Sequence, residues 1–311
     1  MSTTITRRPG PAHVASSPNP PKVKAKPGET IFSGFSHLFL FAWGAMVVLP
    51  LAWVILSSFK DDAQIIKSPL SLIPNSLHWD NFSRAWNKGI GGYFINTIII
   101  VGGGVFLTML LGSMAAYVLA RYPFRGNRVI YFMFLSGLSL PVYLAAVPLY
   151  VGTAKTGIDF PLLGTNSYVM LILVYTAWSL SFTVFFMHSF FKTLPTAVAE
   201  AALVDGASHT KLFFKVMLPM ARPGLISIGI FNVLGQWNQW YLPVLLMNPT
   251  DGSAKHQVLS QGLIELSVNQ GYKSDWSGMF AGMAMAMLPV LIVYIAFQRQ
   301  VQSGLTGGLT K

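Results

Sequence analysis

The chain has 311 residues, of which 53% are hydrophobic and only 10% charged, against about 25% charged in an average soluble domain. A soluble domain of this composition would leave far too much apolar surface in water, and a mean hydropathy of +0.54 agrees that lipid is the solvent for most of the chain. There is no cysteine, which excludes a disulfide framework, a thiolate metal site and a cysteine nucleophile. What the net charge of +11 means turns on where the charges fall.

Residues 1–33 are expected to form a disordered cytosolic tail, because 1–30 are rich in Pro, Ser, Thr and Lys with almost no apolar run. The tail is too proline-rich for the start of a signal peptide. Six apolar blocks follow, near 34–58, 93–119, 129–150, 167–191, 224–246 and 277–298. Each is long enough to cross a hydrocarbon core of roughly 30 Å, and none contains Asp, Glu, Lys or Arg. The expected fold is an all-α membrane protein, with a six-span domain over 34–298 and a short cytosolic tail over 299–311.

Lys and Arg set the orientation of such a bundle. With the N-terminus inside, the inner segments hold 14 of the 21 basic residues and three of the 10 acids, and the outer segments hold seven of each. Both termini are therefore expected in the cytosol of a multi-pass cell-membrane protein. The basic balance follows from topology, not from a nucleic-acid surface. Gly102, Gly103, Gly104 and Gly112 leave one face of the second span nearly bare, as close helix packing in lipid requires. Pro141 and Pro148 interrupt the third block, Pro243 the fifth and Pro289 the sixth. Such breaks need neighbours or a cavity to satisfy the freed carbonyls.

Between the fourth and fifth blocks, 192–223 reads as a compact two-helix cytosolic loop. Pro195 suits a helix's first turn. "TAVAEAALV" favours helix, Asp205-Gly206 stops it with a glycine able to take positive φ, and Ser208 can cap a second helix. That helix turns Leu212, Phe213, Val216 and Met217 toward apolar surroundings and Lys211 and Lys215 outward. Leu218-Pro219 and Pro223 return the chain to the membrane. Glu200 is the one acid on the first helix, beside small side chains, and suits a partner's Arg or Lys. A helix pair lying on lipid headgroups has the same pattern.

The spacing Glu200-Ala201-Ala202, three residues, Gly206, nine residues, Val216, one residue, Leu218-Pro219 resembles the EAA loop of ABC-importer permeases. Two departures are Val216, where the family usually has Ile, and the uncharged run before Glu200. The likeness covers nearly all of the chain after residue 34. "AAYVLARYPFRGNR" (115–128), "LPVYLAAVPLYVGTAKTGI" (140–158), "GQWNQWYLPVLL" (235–246) and residues 275–310 resemble the carbohydrate-type members, in particular the maltose-type second permease subunit. The resemblance implies a subunit that moves a sugar or oligosaccharide inward, with Glu200, Ala201, Ala202, Asp205, Gly206, Leu218 and Pro219 docking on an ATPase. It implies a heterodimer with a second permease, two cytosolic ABC ATPase subunits and an extracytoplasmic solute-binding protein.

The residues themselves add to this. No G-x-x-x-x-G-K-[ST] run is present, so ATP and Mg are expected on a partner chain, and this subunit is not expected to be an enzyme or to hold a cofactor or metal. Amides and aromatic faces suit sugars, which points to Gln236, Trp237, Asn238 and Tyr241 on the fifth block. Trp and Tyr also serve as interfacial anchors. Tyr143, Tyr150 and Asn166 are further candidates. His188 reads as a lone interfacial histidine, and the long outer loops 59–92 and 247–276 as docking or packing segments. The alternative class is a secondary, ion-coupled solute transporter, which normally needs an intramembrane carboxylate. An intramembrane enzyme would need a nucleophile motif, a metal pair or a carboxylate dyad, and the blocks offer none.

Overall fold

A computed structural model describes residues 27–248, 256–273 and 275–306. Residues 1–26 of the expected 1–33 tail, part of the loop 247–276 and residues 307–311 lie outside the described residues. Among the described residues all regular structure is helical. Four helices are long and apolar enough to cross a membrane, and up to six crossings result if each of two bent pairs counts as one.

Helix α1 (Pro27–Ser57) starts ahead of the expected boundary at 34. The chain divides into two units after Leu51. In the first unit, the large apolar side chains of α1 from Phe35 to Leu49 are exposed, as they are on a helix apolar all round and surrounded by lipid. The second unit starts at Ala52 and contains α2 (Asp62–Lys67) and α3 (Asp80–Ala85), which runs through a π turn (Trp86–Ile90) into α4 (Gly91–Arg121). The rest comprises α5 (Asn127–Gly137), α6 (Ala146–Asp159), α7 (Tyr168–Thr193), α8 (Thr196–Val204), α9 (His209–Lys211), α10 (Leu218–Met220), α11 (Arg222–Trp237), α12 (Tyr241–Leu246), α13 (Leu259–Lys273) and α14 (Trp276–Thr306).

Helices α4 and α7 pack along most of their length at the centre of this unit. Glycine makes the approach possible. A Cβ on Gly112 would lie 2.7 Å from Thr183 Cγ2, and one on Gly104 would lie 3.3 Å from Tyr175 Cβ. Gly103 meets Ile172 in the same way, but Gly102 faces open space and takes no part in the contact. Gly112→Val is therefore expected to force the two helices apart and to destabilise the protein by about 1–3 kcal/mol. Gly102→Val should leave the thermal midpoint in detergent nearly unchanged, and equal effects at the two positions would refute the packing role.

The third block is not one straight span. α5 ends at Gly137, Pro141 takes an extended conformation, and the chain resumes through a 3-10 turn (Val142–Ala145) into α6, bent by 97°. The fifth block is also broken, but not at its proline. α11 has 16 residues, or about 24 Å of helix, and unwinds at Asn238–Trp240 before α12 begins. Pro148 and Pro243 sit in first turns, where the missing N–H costs no hydrogen bond. Pro289 lies inside α14, which runs unbroken past residue 298 to Thr306. The expectation that these three prolines interrupt their spans is thus corrected, and only Pro141 marks a break.

At the membrane end opposite 192–223, polar side chains tie the 58–81 segment together. Lys60 is fully buried and donates to the Ser71 carbonyl and to Ser57 Oγ. Burial pushes its ammonium pKa down. Asn81 Nδ2 donates to the carbonyls of Ser58 and Lys60, both at 2.9 Å. The segment is also latched to the start of α14. Asp62 Oδ1 accepts from the Ser277 amide at 2.7 Å, and Asp275 pairs with Lys88 and, at 3.4 Å, with Arg84. Burial would raise the Asp275 carboxyl, but the hydrogen bonds from Lys88 and the Gly278 amide and the two positive charges outweigh it and hold it below the usual carboxylate range. A carboxylate with a lowered folded pKa stabilises at neutral pH, and the contribution fades as pH falls below about 4. Thermal stability in detergent is expected to drop across that acid range, and Asp275→Asn should flatten the drop. An unchanged pH slope in the variant would rule the latch out as its cause.

Candidate functional site

The 192–223 loop is built from an exposed helix on a buried stem. α8 begins after Pro195, which occupies the position just before the helix with φ −62° and ψ 132°. Its end is closed by backbone hydrogen bonds from Gly206 N to Leu203 O and from Ala207 N to Ala202 O, both 3.0 Å. Gly206 has φ +80°, the left-handed turn that a glycine stop provides. Ser208 Oγ then accepts from Lys211 N at 3.3 Å and caps α9, which continues through a π turn (Leu212–Met217) into α10.

Leu212, Phe213 and Met217 insert into a cluster with Ala116, Tyr117 and Leu119 of α4 and Val184, Met187 and Phe191 of α7. The Phe213 ring lies 5.0 Å from Tyr117. Lys211 and Lys215 point outward, as expected. α8 itself buries no residue. Glu200, Ala201, Asp205 and Gly206 are exposed, Ala202 is half-buried against the cluster, and Val204 is 87% exposed. Leu218 packs on the cluster, while Pro219 is exposed at the turn into α11, where the chain bends by 77°. Among the described residues neither Glu200 nor Asp205 makes an ion pair. The arrangement is a small exposed surface rigidly joined to the two central helices.

The span-five candidates do not converge on one site. Gln236 is buried between α4, α7 and α11, with its Nε2 3.0 Å from Ser179 Oγ and 3.4 Å from Thr108 Oγ1. Trp237 turns the other way: its Nε1 donates to the Ala286 carbonyl at 3.2 Å and its ring meets Phe94 edge-on. Asn238 is exposed, but its amide donates to Leu234 O at 2.8 Å. Tyr241 stands 4.5 Å from Tyr143, ring to ring. Tyr150 is exposed on α6. Asn166 is a turn residue with φ 59° whose amide donates to Leu246 O at 2.7 Å. His188 is buried, with its ring 4.2 Å from Tyr131, so it lies between α5 and α7, near the end of α7 that leads into the 192–223 loop.

A cleft of about 360 Å³ does open beside Gln236, and its further lining includes Tyr175, Trp178, Ser179, Asn232 and Gln239. It carries amides, hydroxyls and aromatic faces, and none of its lining residues is charged. The α7 members were not among the sequence candidates. Their signal was present: Tyr175, Trp178, Ser179 and Phe182 stand at i, i+3, i+4 and i+7 and so share one helix face.

Comparison with known proteins places this geometry. Residues 108–307 match the family described as binding-protein-dependent transport system inner membrane component. The diacetylchitobiose uptake system permease protein NgcG of Streptomyces coelicolor is 44% identical over 89% of this chain and 88% of its own length. The probable ABC transporter permease protein YurM of Bacillus subtilis is 30% identical over 93% of each chain. A solved bacterial ABC transporter involved in the import of the acidic polysaccharide alginate has a chain of the same fold, with TM-score 0.76 and 21% identity over 89% of this chain and 98% of that one. The chain thus belongs to the binding-protein-dependent transport system inner membrane component family, as a multi-pass permease subunit of an ABC importer.

Proposed function

We propose that this permease carries a sugar or short oligosaccharide into the cytoplasm, driven through the 192–223 loop by a separate ATPase. The observation that carries the coupling role is the exposed α8 and its Gly206 turn, seated on a stem of Leu212, Phe213 and Met217 among side chains of α4 and α7. A partner that grips α8 moves those two helices with it. Glu200, Ala201, Ala202, Asp205 and Gly206 form the contact, and Leu218 and Pro219 set the direction in which the stem enters α11. ATP and Mg reside on the partner. The sugar reading draws support from the uncharged cleft beside Gln236 and from the relative whose name specifies diacetylchitobiose uptake. Asn238 and Tyr241 flank the break between α11 and α12 but do not line that cleft, and Trp237 packs against Phe94 and α14.

In this reading both termini and the loop are cytosolic, a second permease completes the pathway, and a solute-binding protein delivers from outside. The test is affinity purification of the tagged chain from its native membrane in mild detergent. A second six-span permease and an ATPase with a phosphate-binding loop are expected to co-purify. Glu200→Lys is expected to lose at least tenfold of the ATPase while retaining the sister permease. Recovery of the folded chain alone would point to a self-sufficient carrier and overturn the reading.

A further inference from the structure

A second cavity, of about 470 Å³, lies at the membrane end that carries the 192–223 loop. Its lining includes Arg121, Arg128 and Lys192, together with Tyr122, Phe124 and Val129, and no acidic residue. The three cations come from three different elements: the end of α4, the start of α5 and the end of α7. Each therefore stands where a span meets the headgroup layer. Among the described residues none of the three makes an ion pair. Arg121 donates to the Leu194 carbonyl, yet its Nε is buried with no hydrogen-bond partner. Arg128 lies 5.6 Å over the Phe132 ring. Cations drawn together without a counter-charge repel one another unless an anion joins them.

The cavity continues into an apolar strip. Val129, Phe132 and Met133 are 64%, 49% and 67% exposed, and their i, i+3, i+4 spacing places them on one face of α5. A basic pocket opening onto an apolar helix face has the shape of a phospholipid with an anionic headgroup. We propose that this cavity binds the phosphate of an anionic phospholipid, with Arg121, Arg128 and Lys192 holding the headgroup and an acyl chain lying along Val129, Phe132 and Met133. The bound lipid braces the α4–α5 junction beside the stem of the 192–223 loop, where Tyr122 already meets His209 at 2.9 Å.

The experiment is native mass spectrometry of the detergent-purified importer, titrated separately with phosphatidylglycerol, phosphatidylcholine and inorganic phosphate. Saturable retention of phosphatidylglycerol is expected, with phosphatidylcholine held at least tenfold more weakly. Arg128→Gln and Lys192→Gln should each weaken phosphatidylglycerol about fivefold, while Arg128→Lys and Lys192→Arg should restore it. Both Gln changes are at exposed side chains, so the fold is not at stake. Removing two charges elsewhere at the same membrane end, with Lys215→Gln and Arg299→Gln, should leave retention unchanged. Equal loss in that control would mean diffuse attraction and overturn the site. Binding of inorganic phosphate with no preference for the lipid would assign the cavity to a free anion. Equal, variant-insensitive retention of both lipids would make it ordinary boundary lipid. Loss of the ATPase rather than of lipid in the Gln variants would make it a protein contact.

Discussion

Replacing Gly206 by Leu is expected to abolish transport while the protein still reaches the membrane in normal amount. Two effects meet at this position and they separate by variant. The backbone is left-handed, with φ +80°, so most side chains with a Cβ, Leu among them, cost about 1–2 kcal/mol there, and Asn much less. Within this chain the space itself is open, since a Cβ would meet nothing within 4 Å. A larger side chain therefore projects outward, toward whatever sits on α8, and not into the protein's own core. Asn tolerates the left-handed conformation, so Gly206→Asn isolates bulk from backbone strain. The expected order of ATP-driven uptake in vesicles holding the complete importer is Gly, then Asn, then Leu at background, with equal membrane content by immunoblot. Normal uptake with Leu would show that nothing approaches the turn closely.

Phe213→Ala is expected to have the largest effect on stability, about 3–5 kcal/mol for a buried aromatic. The side chain is 5% exposed and packs against Tyr117 and lies 6.4 Å from the Phe191 ring. Removing it opens a cavity between the loop and both central helices. The loop then moves without carrying α4 and α7 along. The expected signature is a lower thermal midpoint together with ATP hydrolysis that continues while uptake falls. Faster proteolysis at Lys211 and Lys215 should accompany it. An unchanged midpoint would refute the stem's role as a rigid joint, and hydrolysis falling in proportion to uptake would refute its role in transmission.

Local chemistry explains which parts of this architecture were legible in the sequence. The 192–223 loop was read nearly in full because its signals are short-range: a glycine that must turn, a serine that caps, and apolar residues on one helix face. The long spans were equally plain, since hydropathy over some 20 residues is enough to declare them. Breaks within spans were harder. A proline is visible in a sequence, but its position within a helix is not, so Pro148, Pro243 and Pro289 were over-read. The unwinding at Asn238–Trp240 carries no proline or glycine. The cleft residues on α7 share one helix face, but Tyr175, Trp178 and Ser179 sit inside an apolar run, and it is the cleft they line with α11 that singles that face out. Trp237 illustrates the same limit: its indole looked suited to a sugar, yet its N–H donates to the carbonyl of Ala286, far along the chain on α14.

The bareness of α8 has an evolutionary consequence. A helix that fully buries no residue, with only Ala199 and Ala202 resting on the cluster, is largely released from the constraints that hold a core in place, and in the proposed coupling role its exposed face answers to the partner. The stem beneath it answers to α4 and α7. The two can therefore drift separately, the socket following its motor and the joint following the bundle. Transplanting residues 196–206 between related permeases should transfer allegiance to an ATPase while leaving cargo choice with the recipient.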